Sequence, residues 1–115
     1  MGRRGQRART WLRRGEPKKA VDDATAAIKI EPRDETYGIR GDAYRKLRQY
    51  GQAIADYNTA QRIDQDVADT WSEFAETLKQ SGHIAEAQDA LRRAAEFKAL
   101  NAPAKVAAIP GKPQS

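Results

Sequence analysis

Residues 37–60 read YGIRGDAYRKLRQYGQAIADYNTA, and their spacing decides the fold. Tyr37, Gly41 and Tyr44 fall on one face of a helix, and Ala53, Tyr57 and Ala60 fall on one face of a second. Small residues stand where two paired helices would cross, and bulky ones stand beside them. Working outward, the same columns recur on both sides. The pair Ala53/Ala60 is preceded by Ala20/Ala27 and followed by Ala87/Ala94, at steps of 33 and 34 residues. Gly41 is matched by Ala8 and Ala75, and Tyr44 by Trp11 and Leu78. Ile30, Ile63 and Phe97 close the three units. Turn residues separate the halves at Gly15-Glu16-Pro17 and Ser81-Gly82. Three units follow, at 1–33, 34–67 and 68–101, each expected to be a helix-turn-helix pair. The spacing predicts helices at about residues 7–14, 17–30, 35–48, 50–63, 68–80 and 84–99. Strand patterns are nearly absent. Ala53 and Ala87 are expected to be buried at helix crossings.

At this point the residues resemble the tetratricopeptide repeat family. Its 34-residue signature runs aromatic, Leu-Gly-like pair, aromatic, Ala, aromatic, Ala, Pro. Unit two matches through Tyr37, Arg40-Gly41, Tyr44, Ala53, Tyr57 and Ala60, with Gln65 in place of the closing proline. Unit three matches through Trp71, Phe74-Ala75, Leu78, Ala87, Leu91 and Ala94. Unit one matches in part, through Ala8, Trp11, Ala20, Ala27 and Pro32. The resemblance covers about residues 8–101. It implies an all-α, right-handed superhelical array of about three repeats, whose first helices line a concave groove that binds a peptide or protein. The groove residues would then be Arg9 and Arg13 in unit one, Asp42, Arg45 and Lys46 in unit two, and Ser72, Glu73, Glu76 and Lys79 in unit three.

Some relatives of this kind hold a terminal carboxylate in a clamp of Lys, Asn and Arg. The corresponding places here carry Gly5 and Arg9, Ile39, and Asp69 and Glu73. Two carboxylates stand where cations would be needed, so a clamp is not expected. A mixed or basic ligand near unit three is expected instead, drawn by Glu73, Glu76, Asp69 and Asp42.

The formal net charge is +5, but it is unevenly spread. Residues 1–19 carry +7, residues 20–101 carry −4, and the remainder carries +2. Residues 1–7 therefore read as a basic, flexible arm, residues 8–101 as the repeat domain, and residues 102–115, with Pro103, Pro110 and Pro113, as a flexible tail. The arm admits three readings. It is a frayed or degenerate first helix or a chain that begins inside a longer array, an arginine segment that folds on an acidic partner, or an Arg-rich transit peptide. A nucleic acid or anionic surface is the alternative partner, through this arm alone. No polar cap follows Phe97 and Leu100, which also leaves unit three a place to stack on a second copy.

No chemistry is written in the chain. Cysteine is absent, which excludes disulfides, thiolate metal sites and cysteine nucleophiles. His83 is the only histidine, and it follows a predicted turn. Asp22 and Asp23 are adjacent on a helix and point apart. Gly38 and Gly41 follow no strand, so they form no phosphate loop. Trp11 and Trp71 occupy packing columns. Neither an enzyme, a cofactor nor a metal is expected. No run of apolar residues is long enough to span a membrane and no secretory signal is seen, so a cytoplasmic setting is expected.

Overall fold

A computed structural model describes residues 3–102, and among these every regular element is a helix. The elements are α1 (Arg3–Arg13), α2 (Pro17–Ile30), α3 (Asp34–Lys46), α4 (Tyr50–Ala60), α5 (Gln65–Gln80) and α6 (Ile84–Leu100). They pack as the pairs α1/α2, α3/α4 and α5/α6, with α2 and α4 each meeting the next pair. The body is elongated, 51 × 39 × 23 Å.

Local sequence explains the ends. Pro17 opens α2, where a missing N–H costs nothing. Asp34 and Glu35 lie in the first turn of α3 and Arg45 and Lys46 in its last, matching the helix dipole at both ends. The Asp64 carboxylate caps α5 by accepting from the Val67 N–H at 3.2 Å. The turn inside each pair uses one column three times. Gly15, Arg48 and Gly82 all take left-handed backbone, at φ of 79°, 64° and 85°.

The alanine columns form the core. Ala8, Ala20, Ala24, Ala43, Ala53, Ala68 and Ala90 are essentially inaccessible, and Ala75, Ala87 and Ala94 are nearly so. The expected burial of Ala53 and Ala87 is therefore observed. Gly41 is required by its neighbour. A Cβ there would lie 2.8 Å from the Tyr57 ring, which is itself fully buried. In unit one the same two columns hold Ala8 and Ala24, in one cluster with Ile39. Small against large in one unit becomes small against small in the other, so the volume is redistributed between columns.

Three differences from the sequence reading have physical causes. Helix α1 begins at Arg3, so residues 3–7 of the expected arm are helical. Arg7 explains part of this, since its guanidinium reaches back to Asp23 on α2. Helix α4 stops at Ala60, because Gln61 turns left-handed at φ 59°. Helix α5 begins at Gln65, because Asp64 caps it there. The residues that close units one and two are not core. Ile30 is 74% exposed and Ile63 55%, while Phe97 packs against the cluster of Ala53, Tyr57 and Val67. The tail expected over 102–115 lies outside the described residues from 103 onward, as do Met1 and Gly2.

Candidate functional site

A cavity of about 780 Å³ opens between α1 and α3, closed at one end by the last turn of α2. Its apolar part is Ala27, Ile30 and Ile39. Four arginines border it: Arg4, Arg9, Arg13 and Arg33. Two carboxylates answer them. Arg9 pairs with Glu35 across the two first helices, and Arg33 pairs with Glu31 at 3.1 Å. Arg4 and Arg13 have no acidic partner among the described residues. Two of the sequence-derived groove residues, Arg9 and Arg13, are thus brought together on this cavity.

The other expected groove residues divide. Asp42 accepts from the Tyr57 hydroxyl at 2.6 Å and from Arg62 Nη1 at 3.0 Å. Burial raises the Tyr57 hydroxyl pKa, and its hydrogen bond to Asp42 raises it further. Arg45 holds Glu73 with two hydrogen bonds of 2.6 and 3.0 Å, and Asp66 lies 3.8 Å away. Bonding to Glu73 outweighs the cost of burial and raises the Arg45 pKa above its usual value. These three side chains join first helix to neighbouring helix. Lys46 is exposed at the end of α3, and Ser72 is half-buried on α5. Glu76 and Lys79 are exposed on α5, with Glu76 3.4 Å from Gln80 Nε2. The carboxylates expected to draw a basic ligand are partly engaged already, Glu73 by Arg45 and Asp69 by Gln65 at 3.0 Å.

Two sets of polar contacts escaped the sequence reading. Arg40 makes two bonds to Asp56, at 2.8 and 2.9 Å, beneath the rings of Tyr37 and Tyr44. Its third bond, 3.2 Å to the Thr25 hydroxyl, crosses to α2. Arg7 and Asp23 repeat that pair 33 residues earlier, with the Trp11 Nε1–H donating to the same carboxylate at 2.9 Å. An Arg and an Asp 16 residues apart, twice over, was the available signal. In unit three the columns hold Phe74 and Ala90, which line a second cleft of about 340 Å³ with Trp71 and Leu78. The other set centres on Arg62. It contacts Asp42, the Gly38 carbonyl, the Tyr57 ring face at 4.6 Å and the Asp64 cap at 2.9 Å. Burial opposes its charge, but Asp64 and Asp42 outweigh that and raise its pKa.

Paired helices at this period define a helical-repeat protein. Residues 41–82 match the family model described as the TPR repeat. Over 80 residues it is also 29% identical to bacteriophage adsorption protein A of Escherichia coli (strain K12). That match takes in 70% of this chain and 8% of the relative, so the chain spans under a tenth of that protein's length. No described helix is long and apolar enough to cross a membrane.

Proposed function

We propose that the chain is a non-catalytic interaction scaffold that binds a peptide or protein segment in the groove between α1 and α3. The supporting observation is the cavity itself, which combines an apolar patch with charged side chains from adjacent repeats. Cavities of several hundred Å³ with few polar anchors are the usual form of a binding site. Repeat arrays of this kind generally act through protein partners, and that analogy is one of fold. The alternative, nucleic acid held by the N-terminal arginines, is less well supported. Arg7 and Arg9 are already paired with Asp23 and Glu35, which interrupts the run of cations that a phosphate track would follow.

Site-specific photo-crosslinking tests the reading. A photoreactive residue replaces Gln6, on the cavity, in one version and Arg92, on α6, in another. Each is irradiated in source lysate with nuclease and washed at high salt. A protein adduct formed from position 6 and not from position 92 supports the groove. Adducts from position 92 alone, or adducts that nuclease removes, overturn it.

A further inference from the structure

We infer that the segment bound between α1 and α3 is acidic, carries an apolar side chain among its acids, and is recognised through its side chains and not through a chain terminus. This rests on the groove reading above. Charge carries the argument. The four arginines and two glutamates of the cavity leave an excess of two positive charges. Glu31 and Glu35 are each held by an arginine, so the unanswered cations are Arg4 and Arg13. Both lie on α1, nine residues apart, which separates them by about 13 Å along the axis and by about half a turn around it. A free terminal carboxylate would satisfy only one of them. Two acidic side chains a few residues apart in an extended segment span that distance.

Between the cations lies apolar surface that nothing in the described chain covers. Ile30 is 74% exposed at the mouth and Ala27 is half-buried beside it, over a floor made by the core residue Ile39. An aliphatic side chain placed between two acids would cover it. The same surface argues against a phosphate backbone, which has no apolar group to place there. A basic segment would face the two unanswered arginines directly.

The test uses the whole chain and synthetic probes in fluorescence polarisation, with backbone NMR to locate the contact. The first probe is an amidated decapeptide with two Glu pairs flanking a central Leu. The controls are the same peptide with a free C-terminus, with Lys for Glu, with Ser for Leu, and a single-stranded oligonucleotide of equal charge. The acidic amidated peptide is expected to bind, to shift amides of Gly5, Arg9 and Ile39, and to match its free-terminus form. Replacing Leu by Ser is expected to weaken it. Arg13→Ala and Arg4→Ala are each expected to weaken it about five- to tenfold, as is the case for partly exposed charge-assisted contacts. Both positions are exposed, so a fold defect is not expected, and an unchanged melting curve verifies this. Stronger binding of the Lys peptide at the same amides would sink the acidic assignment and leave the groove standing. Tighter binding of the oligonucleotide, or indifference to both arginine variants, also overturns it. If no peptide of any charge shifts those amides, the groove reading fails with it.

Discussion

At the scale of single residues, the turn column shows how the fold places its demands. Gly15 and Gly82 meet the left-handed backbone without cost, whereas Arg48 meets it with a side chain. A non-glycine residue in that region is strained by roughly 1–2 kcal/mol. Arg48→Gly is expected to stabilise the protein by about 1 kcal/mol, after the added freedom of the unfolded chain is deducted. Thermal unfolding monitored by circular dichroism measures it; an unchanged or lowered midpoint would show that Arg48 makes compensating contacts. The glycines were legible as punctuation. That Arg48 shares their conformation was not, because only the repeat register, applied to the turn, links the three positions.

Between elements, the comparison of units is more informative than any one contact. Arg40 and Asp56 are buried together between α3 and α4, with side chains 19% and 7% exposed. Hydrogen bonding to Asp56 raises the Arg40 pKa, so the guanidinium stays charged across any ordinary pH. Unit three solves the same problem with Phe74 and Ala90. Removing one partner of a buried pair is costly, while replacing both with apolar groups is often neutral. Asp56→Ala alone is expected to destabilise by about 3 kcal/mol. The double change Arg40→Phe with Asp56→Ala is expected to recover most of that loss. Urea denaturation of the two variants decides it, and a double variant no better than the single would mean that the bond from Arg40 to Thr25 carries the interface. Helix existence was readable here because apolar spacing is local. The ion partners across helices were not, because Arg40–Asp56 and Arg45–Glu73 join residues 16 and 28 apart, and reach depends on the packing that brings helices together. Arg9 and Arg13, expected on one surface from their columns, both line the cavity between α1 and α3. Asp42, Arg45 and Glu73 share that face but are occupied by neighbours, which no column reveals.

For the molecule as a whole, stability passes from pair to pair, since each helical hairpin touches only the next. Arg62 sits where the second pair meets the third, and binds α3, the Tyr57 ring of α4 and the cap of α5 together. Arg62→Ala leaves Asp42 and Asp64 without it and is expected to cost about 2 kcal/mol. Its effect should be uneven. Hydrogen exchange in α5 and α6 is expected to accelerate more than exchange in α1 and α2. Uniform acceleration along the chain would refute Arg62 as a local joint.

That joint rests on an apolar cluster of Ala53, Tyr57, Val67, Tyr44, Trp71 and Phe97, with Tyr50 against Phe74, and beside it on the charged contacts of Arg62 and Arg45. Dissolved ions weaken the charged contacts and leave the apolar ones intact. Under a stretching force at low ionic strength, the three hairpins should give way in one rip. In concentrated salt the last hairpin should peel off first, as a separate and earlier event. The number of mechanical units in this chain is therefore set by the surrounding electrolyte as well as by the number of its repeats.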